Sequence, residues 1–305
     1  MGIAFISHPD CELHDTGAGH PESPARVRAV LDYLPTREIW HRLTQFEAPL
    51  ADRELLYRVH NRGYVDAVIA AEPEEGRVYL DPDTSMAPHS LNAALRAAGS
   101  VVRGVDLVMA GDVDQAFCCV RPCGHHAEVA RPMGFCMFNN VAVGARYARE
   151  QYGLNRVAIV DFDVHHGNGT EDIFRDDPSV FFSSTFQHPF YPGSGADTVS
   201  DHIVNVPLPA GTGGEAFRDA FRQRILPALN SFEPELLFIS AGFDAHDDDP
   251  LAQLCLLEED FAWATGKIRE VAEAHAWGRI VSVLEGGYSL PALARSVEAH
   301  LQAML

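Results

Sequence analysis

Arg156-Val-Ala-Ile-Val-Asp161-Phe-Asp163-Val-His165-His166-Gly-Asn168-Gly-Thr170 divides into an apolar, β-branched half and a polar half. The apolar half predicts a strand of a parallel sheet, buried on both faces. The glycines of the polar half let the chain turn sharply after it. Ligands of open α/β sheets sit at the carboxyl ends of strands, which is where this polar cluster falls. Side chains at i, i+2 and i+4 of an extended backbone point to one side. Asp161, Asp163 and His165 therefore converge, as carboxylate and imidazole donors suited to a divalent metal.

Working outward, the same pattern of apolar strand, glycine and polar group recurs. Residues 115–120 run into Arg121-Pro-Cys123-Gly124-His125-His126-Ala127, residues 236–240 into Ala-Gly242-Phe-Asp244, and residues 279–284 into Glu285-Gly-Gly-Tyr288. Residues 2–7, 179–184 and 203–206 read as further strands. Helices are expected from about Ser23, with Pro24 near the first turn, then over residues 53–71, 91–109, from Asn140 to about Tyr152, 216–229 and 258–276, with one more at the end. Asp81-Pro-Asp83-Thr84 is a turn. Asp10 to Glu22, carrying His14 and His20, reads as a substrate-facing or exposed loop rather than a second metal site. This alternation predicts one α/β domain over residues 1–305, a parallel sheet with helices on both faces.

A formal charge of −20 and a pI near 5.0 argue against a nucleic-acid or anionic-membrane partner. Six cysteines, with no CxxC pair, read as reduced and mostly buried thiols. The first residues show neither a basic n-region nor a long h-region, and no apolar run approaches membrane-spanning length, so a cytoplasmic location is expected. No repeat or interdomain linker stands out.

Four strand ends on one rim bring His125 and His126, Asp163 and His165, Asp244 and Tyr288 into one cleft. Each has a bland reading alone, as a polar turn, a helix cap or a glycine turn; their coincidence does not. Asp163, His165 and Asp244 supply three ligands and leave positions open, which marks a catalytic metal site. A bound Zn²⁺ brings the pKa of its water towards ~7 and polarises a carbonyl. The histidine pair can shuttle protons near neutrality. Asp161 can orient one imidazole, and the neutral amide of Asn168 the other. Tyr288 offers a hydroxyl to an oxyanion opposite the metal. Together these residues specify metal-assisted amide hydrolysis.

The motifs Gly124-His125-His126-Ala127, Gly134-Phe135-Cys136, Asp161-x-Asp163-x-His165-His166-Gly-Asn168-Gly-Thr170, Ser240-Ala-Gly-Phe-Asp244-Ala and Glu285-Gly-Gly-Tyr288 resemble the zinc-dependent histone deacetylase family, in the family's order. Asn168 and the His20-Pro-Glu-Ser segment resemble its class II branch and the bacterial deacetylase-like amidohydrolases. The resemblance implies the arginase–deacetylase fold, an eight-stranded parallel sheet flanked by helices. It implies zinc on Asp163, His165 and Asp244, His126 as general base and then acid, and His125 with Asp161 as its electrostatic partner. Tyr288 would polarise the acyl carbonyl, Phe135 and Tyr191 would wall the acyl-lysine channel, and the Gly134 carbonyl would accept the substrate amide N–H. His20 and Asp83 are further substrate-binding candidates. The resemblance also implies structural K⁺ at Asp161, with the backbones of Asp163, His165 and Thr185 and the hydroxyl of Ser184.

Departures from the family pattern are Cys123, where a proline is usual, and Tyr191, where phenylalanine is commoner. The present Tyr288 favours a working enzyme over a non-catalytic acyl-lysine reader. Polyamine-specific relatives carry a glutamate seven residues after the last Asp ligand; here that position is Leu251, which favours acetylated lysine in proteins or peptides over an acetylpolyamine. An arginase-like pair of Mn²⁺ ions needs bridging carboxylates, and Ala245-His246 follow Asp244 instead. Fe²⁺ suits the same ligands as Zn²⁺. No long insertion stands out as a dimerisation arm, and a homo-oligomer stays open.

Overall fold

Short β-branched runs flanked by glycine and polar turns become strands, and the longer Ala/Leu-rich stretches between them become helices. The computed structural model describes residues 2–305. In chain order the elements are β1 (Ile3–Ser7), α1 (Ala25–Tyr33), β2 (Leu43–Glu47), α2 (Arg53–Leu56), α3 (Arg62–Ala70), β3 (Val78–Asp81), β4 (Thr84–Met86) and α4 (Ser90–Ala110). There follow β5 (Gln115–Cys118), α5 (Asn140–Tyr152), β6 (Val157–Asp161), α6 (Asn168–Phe174), β7 (Val180–Gln187) and β8 (Ile203–Leu208). The last are α7 (Gly214–Ala220), α8 (Leu226–Phe232), β9 (Leu236–Ala241), α9 (Glu258–His275), β10 (Ile280–Leu284) and α10 (Leu290–Met304). Eight strands form one sheet in the order β2-β1-β5-β10-β9-β6-β7-β8, with every pairing parallel. β3 and β4 form a separate antiparallel hairpin.

The two faces of the sheet feed two cores. Along β6, Ala158 and Val160 pack into a cluster with residues of α1, α9 and α10, while Val157 and Ile159 face α4 and α5. All five residues of β6 are buried, as its unbroken apolar run predicts.

Several elements depart from the expectations, among them the β3–β4 hairpin, where only a turn at Asp81–Thr84 was expected. Residues 53–71 form two helices, because the chain breaks after α2 and Asn61 caps α3 by accepting the Gly63 N–H at 2.9 Å. β2 was not expected: Leu43-Thr-Gln-Phe-Glu reads as polar because an edge strand faces solvent. α6 was not expected either, since Asn-Gly-Thr-Glu-Asp shows no apolar periodicity. The segment after β1 is less exposed than its composition suggests. It opens with a 3₁₀ turn, Pro9–Glu12, and buries His14 against Ser90 Oγ at 2.8 Å.

Candidate active site

β5, β10, β9 and β6 are consecutive strands at the middle of the sheet. Their registers pair Val283 with Cys118, Leu284 with Ala241, and Asp161 with Ser240, so the four carboxyl ends finish level. The loops leaving them carry His125 and His126, Tyr288, Asp244, and Asp163 with His165. The spatial convergence expected from four separate motifs thus follows from strand adjacency.

Asp163, His165 and Asp244 offer three ligand atoms within 4.8 Å of one another. His165 Nδ1 lies 3.1 Å from Asp163 Oδ1 and 3.1 Å from Asp244 Oδ2. The outer carboxylate oxygens are held in turn: Asp163 Oδ2 accepts the Gly286 N–H at 2.8 Å, and Asp244 Oδ1 accepts the Val164 N–H at 2.9 Å. Burial opposes charge on His165, yet its bonds to the two aspartates push its pKa up to about 10. The two carboxylates therefore concentrate positive charge between them. Gly286 leaves the room this needs, since a Cβ there would strike carboxylate oxygens of both Asp244 and Asp163. An oxygen–nitrogen–oxygen set, buried and oriented by backbone N–H groups, fits a divalent ion.

The two histidines part ways at Nδ1. His125 Nδ1 meets Asp161 Oδ2 at 2.8 Å, and His126 Nδ1 meets Asn168 Oδ1 at 2.8 Å. Asn168 is oriented by donating its Nδ2 to Glu128 Oε1 at 2.7 Å, which leaves its oxygen to accept from His126. His126 therefore carries its proton on Nδ1 and keeps Nε2 free. Burial opposes charge on His125, but Asp161, Asp163 and Glu285 outweigh it and hold its pKa well above the usual imidazole range. Burial, then the His125 and His165 imidazoles, push His126 well below that range.

A cavity of about 100 Å³ leads to this cluster, lined by Asp83, His126, Gly134, Phe135, His165, Tyr191, Leu251 and Tyr288. Phe135 and Tyr288 meet edge to face at 6.3 Å, and Tyr191 stands perpendicular to His126 at 5.2 Å. Gly134 adopts φ +58° beneath His126, where a Cβ would strike the imidazole. Its carbonyl faces the Cys136 thiol at 3.2 Å. The β3–β4 turn braces the channel: Asp83 accepts the Gly134 N–H at 2.9 Å and the Tyr191 hydroxyl at 3.1 Å, and Thr84 accepts the Phe135 N–H at 3.1 Å. His20 stands outside the lining, edge-on to Phe135 at 4.8 Å. Burial raises the Tyr288 phenol well above its usual pKa, so the hydroxyl keeps its proton. On the far side of β6, Ser184 of β7 pairs with Asp161, and its hydroxyl lies 3.2 Å from His166 Nδ1.

The family model described as the histone deacetylase domain matches residues 20–304. This chain belongs to the histone deacetylase family. A histone deacetylase-like amidohydrolase of Pseudomonas aeruginosa is 39% identical over 89% of this chain and 73% of its own length. The polyamine deacetylase HDAC10 of Mus musculus is 38% identical over the full chain, which spans 48% of that protein. The crystal structure of the HDA15 HD domain superposes with a TM-score of 0.93 at 34% identity, covering 99% of this chain and 88% of that one. The fold is the arginase–deacetylase fold, and the protein is a hydrolytic deacetylase of a family that is typically zinc-dependent. Among the described residues, no helix is long and apolar enough to cross a membrane.

Sequence reasoning missed the supports of this deacetylase site. Glu22, Arg26 and Arg121 are fully buried. Arg121 grips Glu22 through Nε at 2.5 Å and Nη2 at 2.6 Å, and Arg26 Nη1 meets the same carboxylate at 3.1 Å. Arg26 then donates to the carbonyls of Glu285 and Gly287 and lies 5.0 Å above the Tyr288 ring. Glu285 receives the Gly124 N–H at 2.7 Å, joining the tyrosine turn to the histidine turn. The one signal available was Glu22 and Arg26 at i, i+4. All six cysteines are free thiols, five of them buried.

Proposed function

We propose that the chain is a zinc-dependent lysine deacetylase, removing the acetyl group from the side-chain amine of acyl-lysine in proteins or peptides and releasing acetate. The observation that carries this reading is the channel wall around Leu251. None of the acidic residues beyond Asp244 lines the channel, and each is engaged: Asp249 accepts three backbone N–H groups, Asp248 pairs with Arg295 at 3.2 Å, and Asp247 bonds the Cys255 thiol. Asp83, the carboxylate lining the channel, already accepts from Gly134, Thr84 and Tyr191. Such a wall suits an alkyl chain ending in a neutral amide better than a free ammonium.

In this reading residues 1–305 are one catalytic domain, and Asp163, His165 and Asp244 would hold Zn²⁺ or Fe²⁺. Bound there, the ion supplies Lewis-acid activation of water and of the acyl carbonyl. His126 takes a proton on its free Nε2 and returns it to the departing amine. His125, kept charged beside Asp161, stabilises negative charge. The Tyr288 hydroxyl donates to the carbonyl oxygen as charge builds there. Phe135 and Tyr191 flank the chain, and the Gly134 carbonyl accepts the amide N–H. K⁺ would lie among Asp161, Ser184 and the backbones of Asp163, His165 and Thr185.

Asp83 at the mouth, with Asp81 one turn residue away, favours a second reading, an acetylpolyamine amidohydrolase. The direct test compares turnover of acetyl-lysine peptides with acetylated spermidine and putrescine, each with chelator and with Zn²⁺ restored. Chelator-sensitive turnover favouring peptides supports the proposal; a preference for polyamines replaces its substrate but keeps its chemistry. Tyr288→Phe should remove most turnover while metal stays bound, and unchanged turnover would refute the role given to Tyr288.

A further inference from the structure

The segment Glu285-Gly-Gly-Tyr288-Ser289 is gripped from two sides by opposite charges. Arg26 takes its carbonyls, at Glu285 and Gly287. The buried carboxylate of Asp249 takes its N–H groups: Oδ2 accepts from Tyr288 at 2.7 Å and from Ser289 at 3.2 Å. Its other oxygen, Oδ1, accepts the Leu251 N–H at 3.0 Å. One side chain thus ties the loop after β9 to the turn after β10. Ser289 is the N-cap of the 15-residue α10 but makes no side-chain cap bond, so Asp249 is the anion at that helix end.

We propose that Asp249 is a positioning residue for the reaction: it sets the Tyr288 hydroxyl against the acyl carbonyl. The inference rests on the proposed role of Tyr288. A carboxylate accepting two adjacent N–H groups fixes the backbone just before the tyrosine Cβ, and a hydroxyl at the end of a long ring amplifies any tilt there. Asparagine has the same shape but presents at most one acceptor oxygen, so it cannot satisfy Leu251 on one side and Tyr288 with Ser289 on the other. Glutamate keeps the charge and moves it by one methylene.

The test is a double-mutant cycle between Asp249→Asn and Tyr288→Phe, read as kcat and KM on an acetyl-lysine peptide, with metal content and thermal midpoint measured alongside. Asp249→Asn is expected to lower kcat about tenfold to hundredfold, with KM within about twofold and metal retained. In the Tyr288→Phe background the same change should cost no more than about twofold, because the group it positions is gone. Asp249→Glu should recover part of the lost kcat, and it carries the comparison should the asparagine variant fail to fold. An equal loss in both backgrounds would reduce Asp249 to a general structural role and overturn the inference. Wild-type kcat in a folded Asp249→Asn would also overturn it while leaving the role of Tyr288 standing. Wild-type turnover in Tyr288→Phe would remove that role, and this inference with it.

Discussion

His125 and His126 stand with ring centroids 4.0 Å apart, yet one gives its Nδ1 to a carboxylate and the other to a carboxamide. The difference separates their proton affinities within a single dipeptide. Asn168→Asp would place a negative charge beside His126 and favour its imidazolium. The acidic limb of the kcat/KM profile should then move up by about one pH unit or more, with activity lost earlier on acidification. A limb that stays in place would mean that His126 is not the base it reports.

Gly286 lies against two ligand carboxylates at once. Gly286→Ala should weaken metal affinity about tenfold to hundredfold, as displaced ligand supports do. Competition with a chromogenic chelator measures this without reference to turnover.

Tyr191 occupies one acceptor site of Asp83 at the channel mouth. Tyr191→Phe frees that site for a peptide N–H, and the KM for acetyl-lysine peptides should fall about two- to fivefold, in line with one hydrogen bond. The kcat should hold, because the ring and its contact with His126 persist. A fall in kcat with unchanged KM would show the hydroxyl acting on the chemistry instead.

His60 is a buried brace for the loop that enters α5: its Nε2 accepts the Asn139 N–H at 2.9 Å, so its Nδ1 donates to the Glu128 carbonyl at 2.9 Å. Burial pushes its pKa down to about 4, while the unfolded chain titrates near ~6.5. Between those values the unfolded state binds a proton that the folded state refuses, so stability falls as pH drops through this window. The loss is on the order of 3 kcal/mol for His60. His300, pushed by burial to about 3, adds in the same direction. Denaturant unfolding from pH 7 to 4 should show this slope, and His60→Gln should remove about one proton of it.

The strands and the site were legible because parallel strands buried on both faces leave unbroken apolar runs, as in residues 157–160, and because glycine-flanked polar groups end them. β2 escaped because its exposed edge positions carry Thr, Gln and Glu, which are as common in loops. The linkage of Asp83 to Tyr191 spans 108 residues and leaves no local pattern. Glu22 and Arg121 are invisible for a related reason: a buried ion pair resembles two surface charges until both partners are seen inside.

That buried trio constrains how the chain can change over time. Losing Glu22 strands two guanidinium groups in the interior, and losing either arginine leaves the buried carbonyls it bonds without a donor, at Glu285 and Gly287 for Arg26 and at Cys11 and His14 for Arg121. Single substitutions at these three positions are therefore expected to cost more than their separate contacts suggest.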